Sequence, residues 1–291
     1  MKTKLSLRVG GVPEHFNLPW QLAAERDVFS SHNIDLSWTM YAGGTGAMTQ
    51  ALSNGSLDVA ILLTEGFIAA ASDGLEAHIA KVYIDTPLVW GIYTGSQSSL
   101  HGSGNLTSQT IAVSRLGSGS HLMSMIHAAQ RNEIPSNDQF KIVNSLHGAV
   151  QTLTTGSADV FYWEKYMTRP NVRSGELRLI GEFSAPWSSF LIIVSDEAMQ
   201  KKRDAVLELL SIMNGECIAF KQDNNSAIQL SKRFDMSLPE ARKWLSNTQW
   251  NYDFGVTRAS LENAKTALCS IGKCKNNFNI ETLCASWMQI H

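Results

Sequence analysis

The chain has 291 residues, of which 44% are hydrophobic and 17% charged, and its 24 Lys plus Arg against 26 Asp plus Glu leave a formal charge of -2. That length can bury one large core or two modest ones, and the composition excludes disorder as the dominant state. No long basic run is present to neutralise a row of phosphates, which argues against nucleic acid as the main partner, and no apolar stretch reaches the roughly 18 residues of a membrane span.

The N-terminal MKTKLSLRVGGVPEHFN starts with two lysines and passes at once into strand-like alternation. It has neither an apolar segment of signal-peptide length nor a small-residue cleavage site. The chain as written is therefore expected in the cytoplasm, or in the periplasm or outside the cell if a leader has been removed. LSLRVGGV reads as a strand entering a glycine turn, and LPWQLAAERDVFSSHN as a helix with Leu18, Leu22 and Phe29 on one face. IDLSWTMY leads into AGGTGAMTQALSNGS, a glycine turn opening a helix, and LDVAILLT with EGFIAAASDG repeats the unit. This succession predicts a mostly parallel α/β sheet, because parallel strands need crossover helices.

From HIAKVYIDTPLVWGIYTG the sequence is strand-rich, which suggests a crossing between lobes near residue 93. SQTIAVSRLGSGSHLMSMIHAAQRN then restores strand, glycine turn and helix, followed by QFKIVNSLHG, AVQTLTTG, SADVFYWEK and SSFLIIVSDE. The expected architecture is two-lobed α/β, with residues 1–93 plus 185–291 as lobe one, residues 94–184 as lobe two, and a ligand cleft between them. The hinge is expected near Val89 to Tyr93 and Glu182 to Trp187.

Beyond residue 196 the pattern is helical. KKRDAVLELLSIMNGECIAFKQ places Val206, Leu209, Leu210 and Met213 on one face, and Ser237 with Glu240 forms a capping-box pattern with Pro239 in the first turn. This tail is expected to pack outside lobe one as scaffold. It carries Cys217, Cys269, Cys274 and Cys284. Free thiols and one or two disulfides fit equally well, and no histidine stands at zinc-finger spacing, so no metal site is assigned.

Ligands of open α/β sheets collect beyond the carboxyl ends of strands. Four turns qualify: Gly10 to Phe16, Gly43 to Ala47, Thr64 to Gly66, and Ser114 to His121. SRLGSGSH lacks the lysine of a phosphate loop and does not complete GxGxxG, so a nucleotide is not expected. Ser114, Gly117, Ser118, Gly119, Ser120 and His121 either hold an anion at a helix start or cap their own helix. Gly44 and Thr45 of AGGTGAM present the same choice, with backbone free to approach a ligand. In VPEHF, Glu14, His15 and Phe16 end the first strand, and His15 either binds a ligand or is a solvated turn histidine.

Thr64 with Glu65, and Trp163 with Glu164, stand where apolar strands stop. Glu65 and Glu164 suit an acid/base pair, a cation contact or a solvated strand end. Tyr162, Trp163 and Trp187 suit an aromatic wall or core packing. No GxSxG elbow occurs, and no catalytic residue or cofactor is assigned.

With these residues in place, the stretch from VGGVPEHFNLPWQ through FSSHNIDLSW, GGTGAMTQAL and GSLDVAI, followed by SRLGSGSH, resembles the type II periplasmic substrate-binding proteins. Within them it is similar to the nitrate, sulfonate and taurine receptors of ABC transporters and the fungal thiamine-pyrimidine synthases, over residues 5–195. A subgroup of this fold lacks an export signal and has unsettled ligands, which suits this N-terminus. The resemblance implies two α/β lobes closing on one small molecule, with Glu14, His15, Thr45, Thr64, Ser118, Ser120 and Trp163 facing it. It also implies a monomer and, as partner, an ABC transporter permease. The synthases act on pyridoxal phosphate and use a cysteine-rich segment and a lysine. Residues 160–200 have no cysteine here and the cleft turns have no lysine, so the enzyme remains the alternative to reversible binding of an anionic or polar heterocyclic metabolite.

Overall fold

Residues 5–291 are described by the computed structural model; Lys2 and Lys4, read above at the N-terminus, lie outside them. The first sheet has the order β2-β1-β3-β10-β4, built from β1 (Leu5–Gly11), β2 (Ile34–Met40), β3 (Val59–Leu63), β4 (Ala77–Ile84) and β10 (Phe190–Ser195). The second has the order β7-β6-β8-β5-β9, from β5 (Val89–Gly95), β6 (Ile111–Val113), β7 (Phe140–Ile142), β8 (Val160–Glu164) and β9 (Leu177–Ser184).

The central strands are apolar along nearly their whole length because helices cover both faces. Val59, Ala60, Ile61 and Leu62 of β3 and every residue of β10 are buried. β10 returns to the first sheet antiparallel, with Ile192 opposite Ile61 on one side and Lys81 on the other. β1 is parallel to both β2 and β3.

The sequence boundaries need correction. A cut at residue 93 would divide β5, which pairs with β8 and β9 in the second sheet. The chain crosses between sheets at residues 85–88 and returns at 185–189, so Val89 to Tyr93 and Glu182 are sheet residues and not hinge. The reason is local: Pro87 interrupts an apolar run that otherwise reads as one strand-rich stretch. β9 was not expected at all. It is an edge strand whose Arg178, Gly181 and Glu182 dilute the apolar signal, yet it pairs with β5 from Val89–Ser184 to Gly95–Leu177.

The first helix is also split. Asp27 adopts φ 55°, ending the helix Leu18–Glu25 before a second, short helix Val28–Ser31. The tail is helical as read: Val206, Leu209, Leu210 and Met213 are buried in the helix Arg203–Gln222, and Ser237 and Glu240 form the capping box of the helix Leu238–Asn247. The tail does not touch lobe one alone. Arg173 of the second lobe pairs with Glu240 at 2.9 Å. The four cysteines are free thiols, with Cys217 buried.

Candidate functional site

A cavity of about 230 Å³ lies between the sheets, at the carboxyl ends of β1, β3, β6 and β8. Strand ends present turns and helix starts there for a topological reason: each parallel strand must hand over to a crossover helix. From the first lobe come Glu14 and the turn at Gly43, Gly44 and Thr45; from the second come Ser114 to Arg115, Ser118 to Ser120, Ser145, Leu146, Trp163 and Glu164. Three helices begin at its wall: Gly44–Ser53, Gly119–Gln130 and Leu146–Thr154. Their exposed N–H ends carry partial positive charge.

The serine turn is held by its own hydrogen bonds. Ser120 Oγ accepts the Ser114 N–H at 3.0 Å and lies 3.0 Å from Ser118 Oγ, which donates to the Arg115 carbonyl at 2.7 Å. The hydroxyls thus cap the turn, and Ser118, Gly119 and Ser120 line the cavity. Gly117 supports the turn with φ 79°, a conformation that glycine adopts without strain. Thr45 is similarly engaged, since its Oγ1 accepts the Leu63 N–H at 3.3 Å.

Arg115 is the charged residue that sequence reading passed over. It is half-buried, burial lowers the pKa of its guanidinium, and that guanidinium has no hydrogen bond or ion pair among the described residues. It reaches from the second lobe to the first: a Cβ on Gly46 would meet Nε at 2.9 Å. The apolar wall, Leu63, Leu88, Trp90, Met167 and Phe190, was missed too. Ser145 signalled itself only as a serine before LHG, and it caps its helix by accepting the Gly148 N–H at 3.1 Å.

The carboxyl groups occupy unusual surroundings. Glu164 Oε2 accepts the N–H groups of Tyr166 and Met167, each at 2.8 Å, and burial, followed by the nearby Glu14, raises its pKa well above the carboxylate range. Glu14 is open to the cleft yet surrounded by protein, and burial pushes its carboxyl up to about 7. Trp163 lies against Phe161 with ring centroids 5.2 Å apart.

Several expected residues lie behind the wall. His15 is fully buried, stacked on Trp244 at 4.6 Å, and burial lowers its pKa to about 3; it is not a solvated turn histidine. Phe16 is core, 4.8 Å from Phe190. Thr64 donates to the Ser188 carbonyl, and Glu65 Oε2 accepts the Trp187 indole N–H at 2.9 Å. Both contacts tie the helix Thr64–Ser72 to the returning segment, so Thr64, Glu65 and Trp187 are turned away from the cavity. His121 is turned back onto its own loop, where Nδ1 accepts the Gly117 N–H at 2.9 Å, and Gly117 itself is outside the lining. Glu65 therefore does not pair with Glu164 across a substrate. The cavity lining contains no lysine, and Lys81 is buried beneath the tail with its ammonium bonded to Asn251 and the Asp253 carbonyl. Among the described residues no group of three His, Cys, Asp or Glu side chains is placed to hold a metal ion.

A family model described as Ca3427-like PBP matches residues 90–183, the span of the second lobe. Among solved structures, the conserved Candida albicans CA3427 gene product, described as having the generic periplasmic binding protein fold, is 24% identical over 97% of both chains with a TM-score of 0.87. The alkanesulfonate-binding protein SsuA from Xanthomonas axonopodis pv. citri, bound to MOPS, is 14% identical over 100% of both chains with a TM-score of 0.79. The periplasmic aliphatic sulphonate binding protein SsuA from Escherichia coli is 16% identical over 97% of both chains with a TM-score of 0.73. No curated protein matches the chain. With its two α/β lobes and helical C-terminal segment, the chain has the type II periplasmic-binding-protein fold.

Proposed function

We propose that this protein reversibly binds one small molecule with an anionic or strongly polar group in the interlobe cleft and closes over it. The observation that carries this reading is Arg115: a half-buried cation without a protein partner, set against the start of the helix Gly44–Ser53. Partial burial of an unpaired charge is costly, and an anion supplied by a ligand offsets that cost while also meeting the helix starts. Trp90, Trp163 and Phe190 would cover a heterocyclic or otherwise less polar part as water leaves.

The likeness to sulfonate-binding proteins supports an anion of that kind as one class to test. Delivery of the ligand to an ABC transporter permease, by a monomer in the periplasm or outside the cell, is the corresponding partner reading. Among the described residues no helix is long and apolar enough to cross a membrane. A detached cytoplasmic binder is the reading for a chain without a leader.

The test is native mass spectrometry of gently purified protein, with accurate-mass identification of what denaturation releases, followed by titration of that compound. A stoichiometric, unaltered compound whose affinity falls at least about tenfold in Arg115→Gln supports the proposal. Conversion of the compound on incubation, or undiminished affinity in the variant, overturns it.

A further inference from the structure

The cleft holds a second polar feature that Arg115 does not satisfy. Glu14 follows β1 in the first lobe and Glu164 ends β8 in the second, and both line the same cavity. The backbone of Tyr166 and Met167 fixes Glu164 through Oε2, leaving Oε1 without a protein donor. Glu14 has no side-chain hydrogen bond or ion pair among the described residues.

Among the described residues no cation forms an ion pair with either carboxyl, and the charge of Lys165 lowers the Glu164 pKa less than burial and Glu14 raise it. His15 Nε2 is 3.4 Å from Glu164 Oε2, but its ring is wholly enclosed and neutral near pH 7. Lys165 pairs with Glu182, and Arg169 lies 3.7 Å from Glu240 in the tail. Tyr93 and Tyr166, the hydroxyl groups around Glu164, have pKa values raised by burial and stay neutral. The Arg115 guanidinium makes no ion pair with either carboxylate.

We infer that Glu14 and Glu164 form a donor-reading subsite built from both lobes, which takes a protonated nitrogen of the ligand while Arg115 takes its anionic group. The inference rests on the anion-binding reading of the cleft given above, and adds to it that the ligand is bifunctional, an anion bearing an ammonium or amidinium. Two carboxyl groups enclosed together in one cavity cannot both ionise cheaply, so in the empty cleft they hold a proton. A seated cationic nitrogen takes over the role of that proton. Binding of such a ligand near pH 7 therefore releases up to about one proton, whereas an anion without the nitrogen leaves the pair protonated. A pair that served only to join the lobes would be indifferent to the nitrogen.

The experiment uses ω-aminoalkane-1-sulfonates of roughly three to six methylenes, each matched with the alkanesulfonate carrying methyl in place of ammonium. Affinities are measured by titration calorimetry near pH 7 in unbuffered sodium chloride, which brings no competing ammonium, sulfonate or phosphate, and proton release is read directly with a pH-stat. The expected result is a preference of at least about tenfold for one amino compound over its methyl match, with protons released on binding of the amino compound alone. Glu14→Gln with Glu164→Gln removes the preference and the proton release, and leaves methyl-match affinity within about threefold. Equal wild-type affinities, a preference without proton release, or a preference that survives in the double variant overturns the subsite and leaves the anion reading standing. If neither compound of any pair binds the folded wild type at millimolar concentration, the anion reading fails and the inference with it.

Discussion

The guanidinium of Arg115, carried by the second lobe, rests against the backbone of Gly46 in the first, where an added Cβ would stand 2.9 Å from Nε and 3.0 Å from Nη2. The contact joins the lobes through the flexible end of one side chain. Gly46→Ala should displace that end at little structural cost and replace glycine within the helix Gly44–Ser53, a change that favours the helix by roughly 0.5–1 kcal/mol. The expected outcome is an unchanged or higher Tm with affinity for the cleft ligand reduced about tenfold, read by thermal unfolding beside a titration.

Gly119 is a different case, because its neighbours are rigid. A Cβ there would lie 2.6 Å from Trp90 Cη2 and 2.9 Å from Leu63 Cδ1. Neither a buried indole nor a packed leucine can move away freely, so Gly119→Ala is expected to lower stability by about 1–3 kcal/mol and to narrow the cavity. Loss of binding together with a lower denaturation midpoint is the anticipated pair of readouts; full affinity would show that the helix start is not a ligand wall.

Ser120→Ala tests which of its two roles the serine turn serves. The hydroxyl accepts the buried Ser114 N–H, and alanine leaves that donor without its acceptor. A loss of roughly 1–3 kcal/mol in stability is expected, in contrast to the unchanged folding that a pure ligand contact would give. Equilibrium denaturation in urea measures it.

The Glu65 carboxyl, bonded to the Trp187 indole, is pushed by burial from its ordinary 4.5 up to about 7. A carboxyl whose folded pKa is raised holds its proton more tightly in the folded state, so its contribution is complete below about pH 4.5 and is lost as pH rises through about 7. His15 and His121, lowered to about 3 and 4, act oppositely: their contribution is present above 6.5 and lost on acidification. Glu65→Gln should match the wild type near pH 4 and exceed it by roughly 3 kcal/mol at pH 8. Thermal unfolding across that range checks the sign; a variant less stable at pH 8 would contradict it.

Much of the fold was legible because its signals are local. Alternating or continuous apolar runs marked β1 to β8 and β10, and the tail's capping box was readable from Ser237, Pro239 and Glu240 alone. β9 was hidden because an edge strand needs no unbroken apolar pattern when its pairing with β5 supplies the order. The turns at Gly44 and Ser118 were found for the same local reason, since glycine and serine report backbone conformation and capping directly.

What those turns face was decided by tertiary structure. His15, Glu65 and Trp187 stand beside cleft residues in sequence, but packing turns them inward, where His15 stacks on Trp244 from a tail more than 200 residues away. Arg115 stands inside SRLGSGSH but nothing local marks its side chain, Ser145 and Trp90 carry no motif, and all three enter the cavity only because the second sheet brings β5, β6 and the start of the helix Leu146–Thr154 to one edge. By itself the sequence determined the strand-turn-helix order and the glycine and serine turns, because dihedral preference and hydrophobic periodicity act over a few residues. Only the tertiary structure set an unpaired Arg115 against Gly46 and brought Glu14 and Glu164 into one cavity, because burial and charge proximity are properties of two lobes placed face to face.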